Sequence, residues 1–148
     1  MIQSLDNVLP QQPPMRLLDA VIEVNHELAH CKTTITKENI FYHSDAEGIY
    51  AWVGMELMAQ TAAVFASHQG KGDMPAMGFL LSVRKFSSDR PIFKLGETLE
   101  ILAKKIYLED NIGCFDCTIK LNHQVVATGK LNAFQPDKDH AAAILRGE

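Results

Sequence analysis

A histidine and a glutamate are the side chains on which this sequence could run proton-transfer chemistry. Glu56 is the only formally charged residue between Trp52 and Gln69, a stretch otherwise apolar, small or neutral. A lone carboxylate in a buried helix costs several kcal/mol unless it is partnered or protonated, so its presence needs a reason. One reason is catalysis; the other is a place at the helix's first turn, where the dipole favours negative charge. His43 lies in the irregular segment just ahead. By itself it reads as an exposed loop side chain. Folded over the start of the helix, the imidazole and the carboxylate would form an acid–base site beside backbone N–H groups that can stabilise an electrophile.

The elements that must position this pair follow from the pattern of residue types. Pro10, Pro13 and Pro14 end a short leader, and the segments Leu17 to Val24 and Leu28 to Ile35, split by Asn25-His26-Glu27, read as a hairpin. Lys37 to Gly48 is polar and irregular. Trp52 to Gln69, dense in alanine and methionine and followed by Gly70 as a C-cap, reads as one helix. Such a helix, apolar on every side, is buried on every side. A membrane span is disfavoured, because Glu56, Gln60, Ser67 and His68 interrupt a stretch already short for spanning.

Beyond a glycine-rich link, Gly70 to Asp73, the segments Ala76 to Phe86 and Glu97 to Tyr107 read as strands joined through Ser87 to Gly96. Cys114 to Leu121 and Gln124 to Phe134 read as a closing hairpin turning at Asn122-His123. Two strands, a helix and four strands predict an α+β hot-dog arrangement, an antiparallel sheet curled around a central helix. One domain is expected, with a core of about 9–134 and a surface tail over 135–148. Its open sheet edges predict at least a dimer.

Composition narrows the function. The 148 residues are 47% hydrophobic and 22% charged, with a formal net charge of -4, the balance of an ordinary globular chain with no basic footprint for nucleic acid. The start of the chain lacks the pattern of a secretory signal, so a cytoplasmic protein is expected. The three cysteines, Cys31, Cys114 and Cys117, are odd in number and read as packing residues. Cys114 and Cys117 have the spacing of half a zinc site, but no second pair completes it. No metal or other cofactor is implied.

Several segments carry a resemblance. Glu56-Leu57-Met58-Ala59-Gln60 with Thr61-Ala62-Ala63 resembles the central-helix core of bacterial 3-hydroxyacyl-acyl carrier protein dehydratases. Leu9 to Asp19 is similar to that family's leader and first strand. Gly78-Phe79-Leu80 through Phe86, Arg90-Pro91, and Leu95-Gly96-Glu97-Thr98-Leu99 are similar to its next strand, bend and turn. Val125-Val126-Ala127 fits its closing strand. The order of these pieces, from about Leu9 to Phe134, is more specific than any one of them.

The resemblance implies that Glu56 and His43 are catalytic, with His43 removing a C2 proton and Glu56, from the partner subunit, assisting the hydroxyl to leave as water. It implies substrate contacts at Ala51, Trp52 and Gln60, with a backbone N–H of Ala51 or Trp52 bonding the thioester carbonyl. The implied substrate is borne by acyl carrier protein or coenzyme A. Arg84, Lys85, Arg90 and Lys94 form a basic stretch that reads either as a docking patch for an acidic carrier or as edge-guarding charge. The chain departs from the family in having His43-Ser44-Asp45-Ala46 and Tyr50-Ala51-Trp52 where the family has glycine–proline segments, and in a histidine one residue closer to the carboxylate. Two further readings therefore stand beside the dehydratase. One is a non-catalytic hot-dog subunit pairing with an active dehydratase, as in aryl polyene and related pathways; the other is a hot-dog thioesterase.

Overall fold

The alanine- and methionine-rich segment forms the single helix of the described chain, α1 at Gly54–Gln69. One turn of 3-10 helix, Ala51–Val53, precedes it. The sequence predicts one continuous helix from Trp52. The tighter first turn arises because Ala51 is still held as a strand residue, its N–H donating to Pro91 O at 2.8 Å. This computed structural model describes residues 15–69, 80–109 and 112–134. The expected leader, the Gly70 cap, the glycine-rich link, the first residues of the strand from Ala76 and the tail over 135–148 lie outside them.

Among the described residues eight strands accompany the helix: β1 (Ala20–Val24), β2 (Leu28–Thr34), β3 (Gly48–Tyr50), β4 (Leu80–Ser88), β5 (Ile92–Lys94), β6 (Thr98–Glu109), β7 (Ile112–Leu121) and β8 (Gln124–Phe134). Six of them form one sheet in the order β1-β2-β6-β7-β8-β4. All its pairings are antiparallel. This α+β sheet around one helix is the expected hot-dog fold. β3 and β5 make a separate two-stranded ribbon, which the sequence reading did not foresee: β5 lies in the connection from Ser87 to Gly96, and β3 begins at the last residue of the irregular segment. Three-residue strands are too short to show the alternation that reveals a strand.

Alternation is clear where strands are long. Along β7, Gly113, Phe115, Cys117, Ile119 and Leu121 are buried, and the residues between them face outward. Nine successive residues of α1, Leu57 to Phe65, are buried, including the polar Gln60 and Thr61. Phe65 meets Phe115 edge to face with ring centroids 5.4 Å apart. Gly129 lets β8 approach the helix, since a Cβ there would stand 3.0 Å from Met58 Sδ. The β7–β8 hairpin turns through Asn122 and His123, both at positive φ (52° and 68°), the pattern of a tight type I′ turn.

β1 starts at Ala20 rather than Leu17. Leu17 is held by side chains instead: its N–H donates to Gln60 Oε1 at 2.9 Å, and its carbonyl accepts from Thr33 Oγ1 at 2.7 Å. Among the described residues no helix is long and apolar enough to cross a membrane.

Candidate active site

Glu56 sits in the first turn of α1, half-buried. It is not alone, as the sequence left it. One turn on, the fully buried Gln60 donates from Nε2 to Glu56 Oε1 at 3.1 Å, the i,i+4 relation that places two side chains on one helix face. The same nitrogen donates to Met15 O at 2.9 Å, while Gln60 Oε1 accepts the Leu17 N–H. Gln60, expected to touch substrate, joins the carboxylate to the chain leading into β1. A buried amide must satisfy its donors and acceptor, and here protein groups do so.

His43 is exposed, at the mouth of the loop before β3. Its N–H donates to Gly48 O at 2.8 Å and its carbonyl accepts from Ala46 N at 3.1 Å, closing the loop as an isolated bridge. Gly48 is required there, because a Cβ would lie 2.1 Å from Phe93 O. The imidazole packs edge-on to Tyr50 with centroids 5.6 Å apart. Among the described residues no hydrogen bond joins His43 to Glu56.

The start of the helix supplies the electrophile-stabilising candidates. Of the two N–H groups expected to meet a carbonyl, that of Ala51 is committed to Pro91 O, and Ala51 is buried. Gly54 N–H bonds back to Ala51 and Trp52 carbonyls, and the i→i+3 pattern of the turn engages Val53. Trp52 is the residue of this turn whose N–H stays without a protein partner among the described residues, at the positive end of the helix. Trp52 is 54% exposed, and its ring packs edge-on to Phe41 with centroids 5.7 Å apart.

Met58 and Phe65 are fully buried core residues, while Met55 is half-buried. Cys114 and Cys117 lie on opposite faces of β7, and all three cysteines are free. Burial pushes the Cys31 thiol up to about 12 against the opposing hydrogen bond from Thr61. Burial, with the negative charge of Asp116 adding to it, does the same to Cys117. Both behave as apolar packing groups. Among the described residues no cluster of three His, Cys, Asp or Glu could hold a metal. Within the basic stretch, Arg84, Lys85 and Lys94 are exposed. Arg90 is engaged internally, with Nη1 donating to Glu97 Oε2 at 3.2 Å and Nε to Asp89 Oδ1 at 3.3 Å.

Comparison with known proteins adds relatives to this geometry. A family model described as ApeP-like, ApeP dehydratase, matches residues 3–145. The chain is 27% identical over 136 residues to the 3-hydroxyacyl-[acyl-carrier-protein] dehydratase FabZ of Pseudothermotoga lettingae, covering 88% of this chain and 92% of that protein. It is 28% identical over 141 residues to the FabZ of Rickettsia canadensis, covering 93% and 98%. Among solved structures, a chain of the dehydratase heterocomplex ApeI:P from Xenorhabdus doucetiae is similar with a TM-score of 0.87 and 27% identity, over 97% of both chains. The TT0310 protein from Thermus thermophilus, at 14% identity and a TM-score of 0.63 over 81% and 92%, shares the fold.

Proposed function

The chain belongs to the ApeP-like dehydratase family and is a hydro-lyase of the hot-dog fold, and from that premise we propose that it dehydrates a 3-hydroxyacyl thioester to the 2-enoyl thioester. The observation that carries this reading is the carboxylate of Glu56, held by Gln60 in the turn of α1 that follows the unpaired Trp52 N–H. That is the arrangement needed to protonate a leaving hydroxyl while an N–H polarises the neighbouring carbonyl. In the step proposed, His43 takes the C2 proton, the C2–C3 double bond forms as the C3–O bond breaks, and the hydroxyl leaves as water with a proton from Glu56.

The resemblance to the dehydratases supports a working site that takes the histidine of one subunit and the carboxylate of another. The substrate arrives on acyl carrier protein or coenzyme A, and the exposed Arg84, Lys85 and Lys94 offer charge to an acidic carrier. A second hot-dog subunit is the proposed partner, either another copy or a different chain. The ApeI:P heterocomplex supports the latter. The sealed Ala51 N–H and the Trp52 side chain at the helix start favour a second reading, in which this chain serves mainly as the pairing subunit of an active dehydratase.

The test is to follow loss of water from a 3-hydroxyacyl-carrier protein by intact mass, using the chain alone and with a candidate hot-dog partner, beside Glu56→Gln and His43→Ala. Water loss by the chain, abolished by both substitutions, supports the first reading. Activity that needs the partner and survives both substitutions supports the pairing subunit. Release of free thiol instead would make the protein a thioesterase and sink both.

A further inference from the structure

The segment from His43 to the start of the helix takes its register from β5. Gly48 faces Lys94, Ile49 faces Phe93 and Tyr50 faces Ile92. Beyond the ladder, Leu95 N–H donates to Glu47 O and Ala51 N–H to Pro91 O, both at 2.8 Å. One end of this ribbon therefore carries the histidine loop, and the other carries the turn with the Trp52 N–H, which has no partner among the described residues. A two-stranded ribbon is marginal in water unless something else holds it.

Ile49 and Phe93, both fully buried, pack it into the core, and a further tie comes from Glu97, just beyond β5. Its Oε1 accepts the backbone N–H of Lys94, at the strand's last residue, at 2.6 Å. Its Oε2 accepts from Arg90 Nη1, ahead of the strand's first residue, at 3.2 Å. A single carboxylate thus spans β5 from end to end. Both side chains of the ion pair are shielded, 32% exposed for Arg90 and 23% for Glu97. The bend before β5 is tied by Ser88 Oγ, which donates to Arg90 O at 2.7 Å. The turn after it is anchored to the end of β2, with Gly96 N–H donating to Ile35 O and Ile35 N–H to Glu97 O, both at 2.9 Å. Gly96 supplies the positive φ (89°) that lets this turn close.

We propose that Glu97 is a positioning residue: by bridging both ends of β5 it sets where the His43 loop and the Trp52 turn stand relative to each other. Its catalytic consequence rests on the dehydratase reading above; its structural consequence does not. Charge alone does not explain the geometry, since an ordinary surface ion pair needs no backbone N–H on the second oxygen.

The experiment uses the full chain, with its partner if activity requires one. Trp52 is the only tryptophan, so its quenching by acrylamide reports on the helix start alone. Amide hydrogen exchange at Ala51 and Leu95, whose N–H groups bond across the ribbon, reports on the ribbon. Glu97→Ala is expected to speed exchange at these amides by about tenfold or more and to change Trp52 quenching. It should also lower kcat by about 10²-fold, as a misplaced group does, with KM nearly unchanged. Glu97→Gln, which keeps an acceptor for Lys94 N–H but loses the charge facing Arg90, should show a smaller change and serves if the alanine variant does not fold. Adding Arg90→Ala to Glu97→Gln should cause little further loss. Asp116→Ala, which removes the exposed pair with Lys130, is the control and should leave the ribbon unmoved.

Unchanged exchange and quenching in both Glu97 variants would overturn the proposal, as would a loosened ribbon with kcat intact in an active protein. If the wild type dehydrates nothing, the dehydratase reading has failed. Exchange and quenching then still decide whether Glu97 positions the two ends.

Discussion

The middle of α1 and its mouth are built by different forces. From Leu57 to Phe65 the helix is sealed in apolar contact, where stability comes from area removed from water and is insensitive to small rotations of polar groups. At the mouth, the half-buried Glu56 and the exposed Trp52, His43 and Tyr50 are held by directional hydrogen bonds through Gln60 and β5. The difference teaches that one helix can separate stability from chemistry along its length: the buried turns hold the fold, and the first turn keeps its polar groups in reach of a ligand.

The comparison breaks if the two halves answer to substitution alike. Phe65→Ala should lose about 3–5 kcal/mol in urea unfolding, the cost of a large cavity against Phe115, while the molecules that remain folded keep their turnover. Glu56→Gln should do the reverse, dropping kcat by about 10²–10⁴-fold with almost no shift in the urea midpoint. A large midpoint shift here would mean that the carboxylate is a structural group. Gln60→Leu tests the seam between the halves. It removes the partners of the Leu17 N–H and the Met15 carbonyl, so stability should fall by about 1–3 kcal/mol per orphaned group. Turnover should fall as well, because Glu56 loses its anchor; stability loss with kcat unchanged would show that Gln60 does not orient the carboxylate.

The smallest effect sharpens the buried side alone. The Cys31 and Cys117 thiols are raised from the ordinary 9.0 to about 12, chiefly by burial. The folded state then keeps protons that the unfolded chain has lost, so the stability these groups contribute is whole below pH 9 and declines as pH rises from 9 toward 12. Unfolding midpoints across that window should fall less steeply in a Cys31→Ala, Cys117→Ala double variant than in the wild type. Equal slopes would show that burial does not hold these protons.

Much of this was legible in the residues. The long strands announced themselves by alternation, as in β7 and β8, and α1 by a run of alanine, methionine and leucine with no polar face. Glu56 stood out because a charge in such a run is costly. The site was less legible. Gln60 was read as touching substrate, and its hydrogen bonds to Met15 and Leu17, more than forty positions away, were not foreseen. Arg90 was read as surface charge, although its guanidinium faces Glu97 across β5.

The sequence by itself determined the helix that must be buried, the strands that must cover it and the carboxylate that needed a reason, since each follows from side-chain polarity and spacing within a short window. Only the tertiary structure decided that β3 and β5 pair, that Ala51's N–H is sealed by Pro91, and that Gln60 ties the helix to Met15 and Leu17. Those outcomes depend on hydrogen bonds between backbone groups that every residue carries and between residues distant in the chain, and neither leaves a local mark in composition or period.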